Sequence, residues 1–348
     1  MSNLNKNKPK GILREGWYST VEDYAICGSW NNDGKILVVG DAIGGIYAFE
    51  GTSGKLIWEQ KQTHGDGLLS LAMHPHQNIF ATCGQDGKLL LWNAQNGQLN
   101  QEINLGRGWS DNVSWSRDGK WLAVSIARRV HVYRLDGTEA WQSIDQPSTI
   151  SAIAWSRNNE LATACYGRVS FFDGESGEVQ QKFEWKGSLV SMAISPDGDV
   201  VACGSQDNSV HFWRRSTGED SMMSGYPGKP AALAFDEKGK FLATGGSSSV
   251  TVWNFQGDGP EGTAPGNLEI HIQPITTLSF AHRGVRLASG ARDGAVIVWS
   301  LDNNGNGDII GASLVEEVIS DLLWRPDGRA LASLDAHGGV TVWRIGNE

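Results

Sequence analysis

Eight histidines and four cysteines are the residues of this 348-residue chain best suited to hold a metal or to serve as nucleophile and base. Metal ligands must converge to about 2 Å from one ion. His74 and His76 precede Cys83 closely, but the intervening apolar run IFATC, 79–83, reads as a strand. At roughly 3.3 Å per residue a five-residue strand holds its ends about 17 Å apart, so these groups cannot share an ion. His64, His271 and His337 fall in separate loops, while His131 and His211 sit inside apolar alternations where a structural role is the ordinary one. None of Cys27, Cys83, Cys165 and Cys203 forms a C-x-x-C pair, so they read as buried thiols of a reducing compartment. No G-x-S-x-G elbow is present. The run GTSGKL, 51–56, approaches a phosphate loop, but Phe49 stands where the first glycine belongs and Leu56 where Ser or Thr belongs. The sequence predicts no catalytic residue, no metal site and no cofactor.

Recognition chemistry is better represented. Five polar segments carry Arg107 and Trp109, Arg128 and Arg129, Tyr166 and Arg168, Trp185 and Lys186, and Tyr226 and Lys229. Trp, Tyr and Arg are the residue types that dominate interface hot spots. The formal net charge is −10, which argues against a nucleic-acid binder. Clustered aromatic and cationic groups in an acidic protein suit an acidic or Pro-containing peptide. Each tryptophan taken singly reads as cover for a core edge; the set reads as a binding surface.

The elements that must position these residues recur. Aligning the chain on Trp30, Met73, Trp115, Trp155, Ile194, Phe235, Phe280 and Trp324 gives intervals of 39 to 45 residues. Each of these residues ends a short apolar run and is followed by a polar turn such as RDGK or PDGD. A second run comes next (VVACG, 200–204; RLASG, 286–290), then a third ending in an aromatic such as Trp213 or Trp299. Four short strands at a period of 40 to 45 residues are the signature of a β-propeller. Units beginning near 23, 67, 110, 149, 188, 230, 274 and 318 predict a single eight-bladed ring of four-stranded antiparallel blades, spanning 11–348.

The Asp-Gly turns, the Leu-Ala-Ser-Gly runs, Asp86-Gly87, Asp293-Gly294 and the terminal tryptophans resemble the WD-repeat β-propeller family over about 23–345. No unit has a literal Trp-Asp, and only His64 hints at the histidine of the family's hydrogen-bonded network. The stretch from Ala48 to Trp58 is also similar to the tryptophan-docking motif of quinoprotein propellers, which implies a blade-packing role for Trp58. The resemblance implies a rigid platform for assembly with proteins, and no enzyme. A small-ligand or metal-handling accessory, using the channel mouth with its His and Cys residues, is the alternative.

The last unit ends after its third strand, and an open sheet edge there would be a liability. The run GILREGWY, 11–18, is therefore expected to supply the missing outer strand and close the ring, with residues 1–10 a flexible arm. Strand direction places the five recognition segments on one face, the top. The turns after first and third strands lie on the bottom, where the long loop 257–267 reads as a tolerated insertion. Without a signal peptide or an apolar stretch of about 18 residues, the chain reads as a cytoplasmic monomer with no membrane partner.

Overall fold

The computed structural model describes residues 10–257 and 259–346, with Lys10 described by its backbone only. The arm expected over 1–10 thus falls almost wholly outside the described residues; Lys10 itself opens a two-residue strand.

Each unit builds an antiparallel sheet in chain order from the channel outward. The second unit is typical, with strands Leu68–Met73, Ile79–Gly84, Lys88–Asn93 and Leu99–Asn104. Neighbouring sheets stack face to face, so the second strand of a unit is covered on both sides. Every residue of Val200–Ser205 is buried. That double burial explains the small residues of these runs: Ala, Gly, Cys and Ser let the sheets approach closely. The core therefore lies between sheets; Ala81, Leu89 and Leu91 of the second unit pack on Val113, Leu122 and Tyr133 of the third. Outer strands are more exposed, as the pattern of Leu99–Asn104 shows.

The described residues form seven hydrogen-bonded sheets: one of six strands, one of five and five of four. The expectation of eight separate four-stranded blades is thereby corrected to seven sheets. The physical reason lies between Glu184 and Ser188. The chain there stays extended instead of looping, and Val179–Ile194 becomes one strand of 16 residues. Its first half pairs with Glu160–Asp173 and its second half with Val200–Ser205, so the fourth and fifth repeat units fuse into the six-stranded sheet. Arg215 braces the same seam at its bottom end. Its two terminal nitrogens donate to Glu160 at 2.8 and 2.7 Å, and its guanidinium lies 3.8 Å from the Phe171 ring centroid. The bonded guanidinium holds the Glu160 carboxyl below its ordinary pKa.

Leu13–Thr20 lies antiparallel to Gly339–Ile345, the third strand of the last unit, and so forms that sheet's outer edge. Upstream, Lys10–Gly11 pairs with Ala312 and Gly311 of the neighbouring sheet. Gly11 makes the step between the two sheets at φ 67°, and a Cβ there would sit 1.8 Å from the Ile310 carbonyl oxygen. Ile12 and Leu13 are buried at this junction, and the Trp17 indole donates to the Gly51 carbonyl of the first unit at 3.1 Å. Burial of three such side chains stabilises the ring by about 5 kcal/mol. Deleting residues 1–20 should lower the melting temperature of the whole domain in a single transition. Unchanged melting of the truncated protein, measured by calorimetry, would contradict this closure.

Candidate functional site

The first question for each recognition residue is whether the blades themselves use it. Two units carry complete four-residue networks. In the second, His64 Nε2 meets the Thr82 hydroxyl at 2.9 Å, His64 Nδ1 meets Asp86 at 2.9 Å, and the Trp92 indole donates to Thr82 at 2.9 Å. In the seventh, His271, Ser289, Asp293 and Trp299 repeat this geometry at 2.8 to 3.2 Å. The separations along the chain are identical, 18 from His to hydroxyl and 22 from His to Asp. His271 thus belongs with His64, which reading on the Asp-Gly turn alone had missed. Burial pushes the His64 pKa down, against the pull of Asp86.

The same separation explains Tyr226. It lies 18 residues before Thr244, its hydroxyl bonds that of Thr244 at 2.8 Å, and the Trp253 indole donates to it at 2.8 Å. Tyr226 occupies the histidine's place in its blade. Trp185 stands the same 18 residues before Cys203 and 22 before Asp207. Its ring is half-buried and stacks on His211, centroids 3.8 Å apart. Arg168 pairs with Glu184 at 3.0 Å. Tyr226 and Trp185 are engaged within the blades, and Arg168 in an ion pair.

The others remain available. Arg107, Trp109, Arg128, Tyr166, Lys186 and Lys229 are exposed, Trp109 by 59% and Tyr166 by 55%. A chain of hydrogen bonds joins the loops that carry Trp109, Arg128 and Tyr166. The Ala127 amide donates to the Trp109 carbonyl at 3.4 Å, the Ile150 amide to Ala127 at 2.9 Å, and the Tyr166 amide to the Ser148 hydroxyl at 2.8 Å. A groove of about 500 Å³ opens beside this arc, with Arg107, Arg128, Arg129 and His131 among its walls. Sequence reasoning placed these loops on one face but could not tell a tryptophan in a histidine slot from one in solvent.

The channel offers different chemistry. Asp321, on an inner strand, accepts from the Leu322 amide at 2.8 Å, and burial raises its pKa to about 6. The Cys27 thiol nearby is pushed well up by burial and by the Asp321 charge. Among the described residues no three His, Cys, Asp or Glu side chains converge on a point where an ion could sit. A carboxyl whose pKa rises on folding is most stabilising while neutral. Its contribution is intact below about pH 4 and is lost as pH rises through about 6, by up to roughly 3 kcal/mol. Asp321→Asn should therefore melt higher than wild type at pH 8, and the gain should vanish near pH 4. An equal gain at both pH values would contradict the raised pKa.

Comparison with known proteins adds the lineage. The family model described as "Outer membrane protein assembly factor BamB" matches residues 14–223, and "WD domain, G-beta repeat" matches 222–254 and 262–300. The chain belongs to the family of the first model, which covers more than half of it, and carries two segments that match the WD repeat. It is 24% identical over 346 residues to telomerase protein component 1 of Mus musculus, covering 97% of this chain and 11% of that protein. It is 26% identical over 293 residues to actin-interacting protein 1 of Caenorhabditis elegans, covering 81% of this chain and 47% of that one. The chain thus spans only part of these relatives, from about a tenth to about half. Its fold is similar to the crystal structure of the computationally designed Ika8 protein, with a TM-score of 0.81 at 20% identity, covering 94% of this chain and 98% of that one. No helix among the described residues is long and apolar enough to cross a membrane.

Proposed function

We propose that this propeller is a non-enzymatic scaffold that binds a protein segment across its top face, with Trp109 and Tyr166 as its aromatic anchors. One observation carries the reading. Of the fifteen tryptophans, Trp109 alone is exposed, while the other fourteen are buried or half-buried. An indole left in water on a chain that packs its others is a standing hydrophobic cost, which a partner would relieve. The two segments that match the WD repeat support a platform role. The cationic side chains beside Trp109 and Tyr166 favour an acidic segment; a proline in it would stack on either ring.

Because Trp109 and Tyr166 touch little of the core, the double variant Trp109→Ala, Tyr166→Ala should melt within about 0.5 kcal/mol of wild type. It should lose about 30-fold in affinity for the partner captured from native lysate by the wild-type protein. Measured by titration calorimetry, an unchanged affinity in a stable double variant would move the interface off this face. The double variant Trp185→Ala, Tyr226→Ala should instead lose stability, by about 3 kcal/mol for each ring.

A further inference from the structure

The groove beside Trp109 has a composition that the scaffold reading does not require. It runs between the outer strand of the second unit, at Asn104 and Leu105, and the third unit. Arg129, His131 and Tyr133 alternate along one strand of the third unit and present one side of it to the groove. Its charged lining is Arg107, Arg128 and Arg129 against Glu139 and Asp145. Those groups do not cancel internally. Arg129 is satisfied, donating to Asp145 at 2.6 Å. Among the described residues Arg128 bonds only through its Nε, which donates to the Gln146 carbonyl at 2.8 Å, so neither terminal nitrogen of its fork has a partner there. Arg107 makes no hydrogen bond or ion pair to any described residue and stands exposed at the groove's rim.

A second, independent observation comes from the groove wall. His131 is only 9% exposed, yet its Nδ1 has no hydrogen-bond partner among the described residues, with Glu139 Oε1 3.7 Å away. A buried polar atom left unpaired costs about 1–3 kcal/mol unless something else supplies its bond. The charged groups acting on it are Glu139 from the outer strand and Arg129 from its own strand, and the groove that it lines also carries Asp145, Arg107 and Arg128. Burial holds the ring toward its neutral form. Three guanidinium groups against two carboxylates then leave the groove one positive charge in excess.

We infer that this groove is the subsite for a single carboxylate of the bound peptide, an Asp or Glu side chain gripped by Arg107 and the open arm of Arg128. The inference rests on the top-face reading and adds the chemistry that the partner must carry. One excess charge matches a monoanionic carboxylate, whereas a phosphate dianion would overshoot it. Planar guanidinium forks suit a carboxylate because two parallel N–H···O bonds can form. The groove's volume, about 500 Å³, accommodates the side chain together with a short stretch of backbone.

The test uses the full chain, immobilised, and a positional library of dodecapeptides with one central residue fixed as Glu, Gln or phosphoserine. Wild type should retain the Glu pools at least about threefold over the Gln pools, the scale of one exposed charge-assisted contact. Arg107→Ala should abolish that preference while melting as wild type does, and Trp109→Ala should lower retention of every pool. Peptides retained in a Trp109-dependent way without preference for Glu over Gln would overturn the carboxylate subsite and leave the top-face reading standing. Preference for phosphoserine over Glu would overturn the monoanion assignment. Retention of no pool, or retention indifferent to Trp109→Ala, would overturn both.

Discussion

The structure depends on tryptophan indoles that donate across the boundaries between repeat units. An inner belt rings the channel: Trp30, Trp115, Trp155 and Trp324 donate to the carbonyls of Leu323, Ala72, Ser114 and Ser279 at 3.0 to 3.2 Å, each on the inner strand of the preceding unit. An outer belt runs the other way. Trp17, Trp58 and Trp141 donate to Gly51, Ala94 and Gly174 of the following unit at 2.9 to 3.1 Å. Each outer ring also lies over a turn glycine, Gly54, Gly97 or Gly177, where a Cβ would clash. A buried indole has one donor and a large apolar face, so a single residue both fills the gap between sheets and fixes their register. Trp30 reaches Leu323 across the closure, so the ends of the chain are joined by the same bond as its middle.

A second use of tryptophan is confined within blades. Trp92, Trp253, Trp299 and Trp343 donate to a hydroxyl of their own unit: Thr82, the Tyr226 phenol, Ser289 and Ser333. Where a histidine completes the set, as at His64 and His271, the top loop is tied down by a buried chain of hydrogen bonds. In the third to fifth units that chain is absent, and there the top face departs most from regularity. The fused strand Val179–Ile194, the Trp185–His211 stack and the exposed Trp109 all lie in this sector. The proposed recognition surface lies in a part of the ring where this network is missing.

Much of the fold was legible because a propeller writes one pattern repeatedly. The period fixed the inner-strand ends, and Trp30, Trp115, Trp155 and Trp324 are buried where the alignment set them. The number of sheets was not legible. Whether Glu184 to Ser188 loops or stays extended turns on local pairing of Arg168 with Glu184 and Tyr166 with Ser188, which alternation cannot distinguish from a tight connection. At the candidate site, loop membership was readable but exposure was not. Tyr226 and Trp109 look alike as aromatic residues in glycine-containing loops; only the 18-residue separation to a hydroxyl marks Tyr226 as internal.

The central claim is a division of labour among fifteen indoles, and hydrogen exchange of their Nε1–H groups tests it directly. With tryptophan side chains labelled with nitrogen-15 and assigned by single Trp→Phe variants, exchange into heavy water can be followed for each indole separately. The account predicts that Trp109 exchanges at the rate of a free indole, while Trp30, Trp115, Trp155 and Trp324 are among the slowest, opening only with the ring. Protection of Trp109, or exchange of the inner-belt indoles as fast as Trp109, would contradict it.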